Sequence, residues 1–193
     1  MITQLRGKLV EVYPTHAVVD CNGVGYWVNI SLNTFSNLVL EELVTLYTHL
    51  IVREDAHVLY GFGNKTEREI FLKLISVNGV GPASTMMMLS TLSTSEISNA
   101  IHSADDKLLQ SVKGIGAKTA QRIIIDLKDK LDMVNFEDVN SLPSKNKSRI
   151  EALSALEVLG IPRKTAEQNL DKILSKNADA DVETLVKETL KNL

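Results

Sequence analysis

The 193-residue chain has a single cysteine, Cys21. That excludes an internal disulfide and any zinc site built from several thiolates, and the simplest place for the thiol is a buried strand position. Aromatic residues are scarce at 5%, with one tryptophan, and only four prolines interrupt the chain. Long apolar runs are missing too: stretches such as Arg122 to Leu127 are far too short to span a bilayer. The N-terminus Met1-Ile2-Thr3-Gln4 lacks the basic start and apolar run of a signal peptide, so the expectation is a cytoplasmic protein without a membrane role. A basic excess is also lacking. The net charge of −3 argues at first against nucleic-acid binding.

What is present divides by pattern. Residues 1–64 carry three basic and six acidic side chains, whereas 65–134 carry nine basic and eight acidic, so the middle of the chain is its only basic segment. From Ile2 to Phe62 the pattern is β, with strands expected at Leu5 to Val12, His16 to Cys21, Val24 to Ile30, Val44 to Val52 and His57 to Phe62. Pro14-Thr15 and Asn22-Gly23 punctuate the turns, and Leu32 to Leu40 has room for a short helix. Five strands with that insertion suggest an OB-like barrel.

From Lys65 the apolar period becomes helical, as in Ile70, Phe71, Leu74 and Ile75, and Ser93 with Glu96 reads as a capping box. Gln121 to Leu131 reads as helix, and Met86-Met87-Met88 should turn at least one methionine inward. Residues 133–148 lose periodicity and read as a flexible linker. Residues 149–193 form three short helices: one stops at Gly160, Pro162 starts the next, and Asp181 caps the last. The expected fold is α+β and multidomain: a barrel over 1–64, a helical domain over 65–132, the linker, and a UBA-like three-helix domain over 149–193 that binds protein.

The most informative feature is a repeat. Val77-Asn78-Gly79-Val80-Gly81-Pro82 and Val112-Lys113-Gly114-Ile115-Gly116-Ala117 lie 35 residues apart, each between two helical stretches. In each, glycines permit φ > 0 and bring bare backbone close to a ligand, and the next helix begins at once. Free N–H groups at a helix N-terminus suit a phosphate oxygen, so two copies suggest two grips on a nucleic-acid backbone.

Taken together with Val52-Arg53-Glu54-Asp55-Ala56-His57-Val58-Leu59-Tyr60-Gly61-Phe62 and Gly114-Ile115-Gly116-Ala117-Lys118-Thr119-Ala120-Gln121-Arg122, the whole chain resembles the RuvA family of Holliday junction-binding subunits. The resemblance implies a homotetramer, or two as an octamer, holding a four-way DNA junction open for branch migration in recombination and repair. It implies phosphate contacts from Gly79, Val80, Gly81, Gly114, Ile115, Gly116, Lys118, Thr119, Arg122 and Arg53. It implies an acidic pin of Glu54 and Asp55 at the tetramer centre, where carboxylates repel phosphates and disfavour a stacked junction. It also implies a tail that tethers the RuvB ATPase through an apolar patch drawn from Leu156, Leu159, Ile161, Leu170 and Ile173, with the RuvC resolvase as a further partner. No cofactor, metal or catalytic residue is implied.

Many family members carry basic residues where this chain has Ala83-Ser84 and Ala117, so backbone amides should bear more of the binding here, with lower affinity or a shallower salt dependence. Two other readings compete. A helix-hairpin-helix nuclease or glycosylase would need a catalytic group; Asp126, Asp129 and Asp132 are the nearest candidates, yet beside Lys128 and Lys130 they read as a charged helix face. A generic scaffold would bind proteins only. Nucleotide loops do not fit: neither Gly61-Phe62-Gly63-Asn64-Lys65-Thr66 nor Gly114-Ile115-Gly116-Ala117-Lys118-Thr119 has a glycine directly before its lysine.

Overall fold

A computed structural model describes residues 1–131, 144–177 and 180–191. Its contacts divide the chain into two units, Met1–Phe136 and Glu137–Leu193.

The first unit opens with β1 (Gln4–Tyr13), β2 (His16–Cys21), β3 (Val24–Ile30), the single-turn α1 (Leu32–Phe35), β4 (Leu43–Val52) and β5 (His57–Phe62). The strands close into a barrel in the order β1-β2-β3-β5-β4. Every pairing is antiparallel except β3 with β5, where Asn29 faces Tyr60 and Ile30 faces Gly61. Alternation decides what is inside: Leu5, Leu9, Ala17, Val19, Val28, Ile30, Leu46 and Leu59 point inward and are buried. Asn22 and Gly23 both take positive φ, the geometry of a two-residue hairpin turn matched to strand twist. Cys21 differs from expectation. It lies on β2 but is half-exposed, its Sγ 3.4 Å from the Arg6 carbonyl oxygen.

Five helices follow: α2 (Lys65–Ile75), α3 (Pro82–Thr91), α4 (Thr94–His102), α5 (Asp106–Gln110) and α6 (Ala117–Leu131), the last starting four residues earlier than its apolar pattern suggests. The Ser93–Glu96 capping box forms as expected and opens α4. Of the three methionines, Met88 is fully buried and Met87 is 44% exposed.

Barrel and helices are joined by apolar packing and by hydrogen bonds. Phe62, the last residue of β5, packs 4.9 Å from Phe71 on α2, ring centre to ring centre, and both are buried. Truncating such a residue costs about 3–5 kcal/mol. Beside it the carboxylate of Glu67 is buried and saturated. It accepts from the Ser31 hydroxyl at 2.5 Å, the Thr34 hydroxyl at 2.7 Å and the Gly63 N–H at 3.3 Å, so both ends of the α1 insertion are tied to the start of α2. A buried carboxylate is tolerated because each oxygen has donors.

The second unit comprises α7 (Ser144–Val158), α8 (Arg163–Lys176) and α9 (Val182–Lys191) around Ala152, Leu153, Leu156, Ala166, Leu170, Ile173, Ala180 and Leu185. Gly160, at φ +85°, ends the first corner, and the Asp181 carboxylate accepts from the Thr184 N–H at 2.9 Å to cap α9. The linker expectation needs correction at its end: residues 144–148 are helical, their Ser, Asn and Lys being carried by the helix that Leu153 and Leu156 anchor. Residues 133–143 lie outside the described residues.

Candidate nucleic-acid interface

The two glycine turns have the same backbone. In the first, the Val80 N–H donates to the Val77 carbonyl at 3.0 Å across Gly79, whose φ is +90°. In the second, Ile115 donates to Val112 at 3.1 Å across Gly114, at φ +94°. A positive φ at the third position of a four-residue turn is the type II arrangement that favours glycine. Val77, Val80, Val112 and Ile115 are all buried, pinning each turn to the core by its first and last residues.

This corrects one expectation about Val80 and Ile115. Their side chains face inward, so only their backbone lies in the turn, and their N–H groups are used within it. The open donors lie on either side. Among the described residues, the N–H groups of Gly79, Gly81, Gly114 and Gly116 have no acceptor, and Gly81 caps α3 without a side-chain hydrogen bond. A Cβ on Gly79, Gly81 or Gly116 would meet nothing within 4 Å, so the backbone there is bare to solvent. Helix N-termini supply partial positive charge at the same places.

The turns belong to one surface. Arg122 on α6 reaches across and donates to the Asn78 carbonyl in the first turn at 3.2 Å. In return, Ser84 on α3 approaches the second turn, its hydroxyl 3.8 Å from where a Gly114 Cβ would lie. Arg122 is thus a strut between hairpins, a role sequence reasoning missed because its partner lies 44 residues away. Lys113 and Lys118 are exposed and, among the described residues, carry no ion pair; Thr119 is half-buried. The carboxylate run of α6 falls mostly outside description. Asp126 is half-buried, and neither the Asp129 side chain nor Asp132 is among the described residues.

Arg53, Glu54 and Asp55 are exposed on the tight turn joining β4 to β5, where the Arg53 N–H donates to the Ala56 carbonyl at 2.8 Å. Burial raises the pKa of the Tyr60 hydroxyl, and the charge of the Arg53 guanidinium partly opposes that shift. The acidic tip and the glycine turns are therefore carried by the same unit on different elements.

In the tail, the expected apolar patch is redistributed. Leu156, Leu170 and Ile173 are buried in the three-helix core and offer no surface, because three short helices need those positions for packing. Ile161 is half-buried at the corner, whereas Leu159 is 59% exposed and the neighbouring Val158 is exposed as well. Helical periodicity sets Val158 apart from Leu153 and Leu156, but Leu159 is three residues beyond Leu156 and is exposed because α7 ends at Val158.

A closed barrel followed by paired glycine turns at helix N-termini defines a tandem helix-hairpin-helix protein. Domain comparisons agree: residues 1–61 match the RuvA N terminal domain, 71–129 the SAM-like helix-hairpin-helix tandem, and 149–193 the RuvA C-terminal domain. Full-length relatives named Holliday junction branch migration complex subunit RuvA include those of Flavobacterium psychrophilum, 53% identical, and Christiangramia forsetii, 52% identical, each aligned over all of both chains. The Bacteroides thetaiotaomicron relative of the same name is 45% identical, again over both whole chains. The chain belongs to the RuvA family.

Proposed function

We propose that this protein is the junction-recognition subunit of a branch-migration machine. Four copies hold a four-way DNA junction open, and each grips two stretches of backbone through its glycine turns. The observation that carries this reading is the matched pair of turns, Val77–Gly81 and Val112–Gly116, cross-braced by Arg122 and opening unpaired N–H groups to solvent. Donors of this kind bind phosphate without reading base edges, so recognition is of shape. Eight such grips per tetramer compensate for the weak charge of each subunit by acting together.

Glu54 and Asp55 act as the pin at the centre, repelling phosphates from the crossover and keeping it unstacked. The subunit itself contributes no chemistry; the RuvB ATPase supplies the motor, tethered by the tail through the exposed Val158–Leu159 corner, with the RuvC resolvase engaging the same junction. The setting is the cytoplasm. A gel-shift competition tests the core of this. Junction DNA should be retained against a large excess of matched linear duplex, whereas equal weak binding to both would favour a generic scaffold. Cleavage of labelled junction by this protein with metal alone would favour the nuclease reading.

A further inference from the structure

An aromatic-poor chain places three rings where burial does not account for them. Tyr13 at the end of β1, His16 at the start of β2 and Trp27 on β3 form one stack with His16 in the middle. Ring centres lie 4.7 Å apart for Tyr13 and His16, and 3.7 Å for His16 and Trp27. The Thr15 hydroxyl lies 3.1 Å from His16 Nδ1 and fixes the middle ring. The outer two rings remain 51% exposed at Tyr13 and 56% exposed at Trp27, and Trp27 is the chain's only tryptophan. By contrast, Phe62 and Phe71 are wholly buried.

The position of the stack follows from strand register. β3 runs parallel to β5 with Asn29 facing Tyr60, so Trp27, two residues earlier, comes level with the first residues of β5. Those residues directly follow the Arg53–Ala56 turn. Trp27 therefore stands toward the end of the barrel from which β5 starts. Arg53 belongs to the exposed turn that precedes β5, while Glu11, paired with Val18 in the row that includes Trp27, makes the opposite flank acidic. Exposed flat rings and the outer face of β2 and β3 are the ingredients by which barrels of this type hold unpaired bases.

We propose that the Tyr13–His16–Trp27 stack is a stacking platform for an unpaired nucleobase, with single-stranded DNA near the acidic turn as its ligand. Stacking needs no particular base, since every base has a flat face, and a pre-stacked trio presents its outer rings already ordered. A strand leaving one duplex for another at the junction centre is briefly unpaired, and the platform holds its base during that exchange. The inference rests on the pin reading of Glu54 and Asp55.

Trp27 reports its own occupancy. In the full-length protein, its fluorescence should be quenched saturably by short oligo(dT) and by a four-way junction carrying two unpaired thymines at the crossover. Tyr13→Ala should weaken binding to the unpaired junction about three- to tenfold while changing binding to a fully paired junction less than about twofold. Trp27→Phe should keep the affinity that Trp27→Ala loses. Absence of quenching, or equal losses on both junctions, would overturn the proposal. So would a fall in solution mass on Trp27→Ala, which would assign the stack to a contact between copies. Failure of the unmodified protein to bind the paired junction would strike at the junction reading instead, and the oligo(dT) arm remains readable in that event.

Discussion

The first and second hairpins share a backbone and differ in nearly everything attached to it. Gly79 and Gly114 take the same positive φ, and the same hydrogen bond closes each turn. Offset by 35 residues, Ala83 occupies the position of Lys118, Met87 that of Arg122 and Asn78 that of Lys113. The second hairpin therefore carries its own cations, Lys113 and Lys118, beside its amide donors, whereas the first carries none and has only the guanidinium of Arg122 reaching over to its Asn78 carbonyl. A phosphate grip is thus separable into a geometric part, which both hairpins have, and a Coulombic part, which only the second supplies from its own residues.

Breaking the geometry should have the largest effect. Gly79→Val or Gly114→Val forces a β-branched residue into the left-handed region, at a cost of about 1–3 kcal/mol of local strain, and turns the donors away. Junction affinity should fall by roughly ten- to a hundredfold for either, measured by gel shift with folding checked by circular dichroism. If only Gly114→Val is damaging, the first hairpin is not a grip.

Removing the Coulombic part should matter less. Lys118→Ala should weaken junction binding about three- to tenfold and reduce the slope of log affinity against log salt by roughly one per binding phosphate lost. The reverse graft sharpens the contrast: Ala83→Lys gives the first hairpin the missing cation and should raise affinity by a similar factor while steepening the slope by about the same amount. An unchanged slope in both variants would mean these positions do not face phosphate.

The smallest effect distinguishes how the hairpins are supported. His49 on β4 packs 5.9 Å from Phe71 on α2, ring centre to ring centre, and burial first, then the Arg68 guanidinium, hold its pKa below the ordinary histidine value of 6.5. Because the folded state prefers the neutral ring, its contribution is complete above the unfolded pKa of 6.5 and is lost as pH falls below it. Between pH 7.5 and 5.5, amide protection factors, corrected for the intrinsic fall in exchange rate with pH, should drop modestly in α2 and less in α5. His49→Gln should remove that difference, and its persistence would place the titrating group elsewhere.

Much of this was readable from the chain because it depends on neighbours in sequence. β-branched and aromatic runs mark every strand, and the Val-x-Gly-x-Gly spacing marks both turns. What was hidden depends on distant partners. The parallel β3–β5 closure, the buried Glu67 that looks like a surface charge, the Arg122 strut to Asn78 and the stack of Tyr13, His16 and Trp27 each join residues from separate elements. The tail shows the same limit: apolar spacing identified Leu156, Leu170 and Ile173 as important but did not say that they pack on one another. α7 began early because tertiary anchoring carried a polar first turn that propensity alone would leave as coil.

The central claim is that backbone amides of both turns take phosphate. Amide hydrogen exchange of the full-length protein, with and without a four-way junction, addresses it most directly. Exchange should slow at residues 78–84 and 113–119 together on adding the junction, and much less with linear duplex at the same concentration. Protection confined to 113–119, or absent from both segments while the junction is bound, would contradict the account.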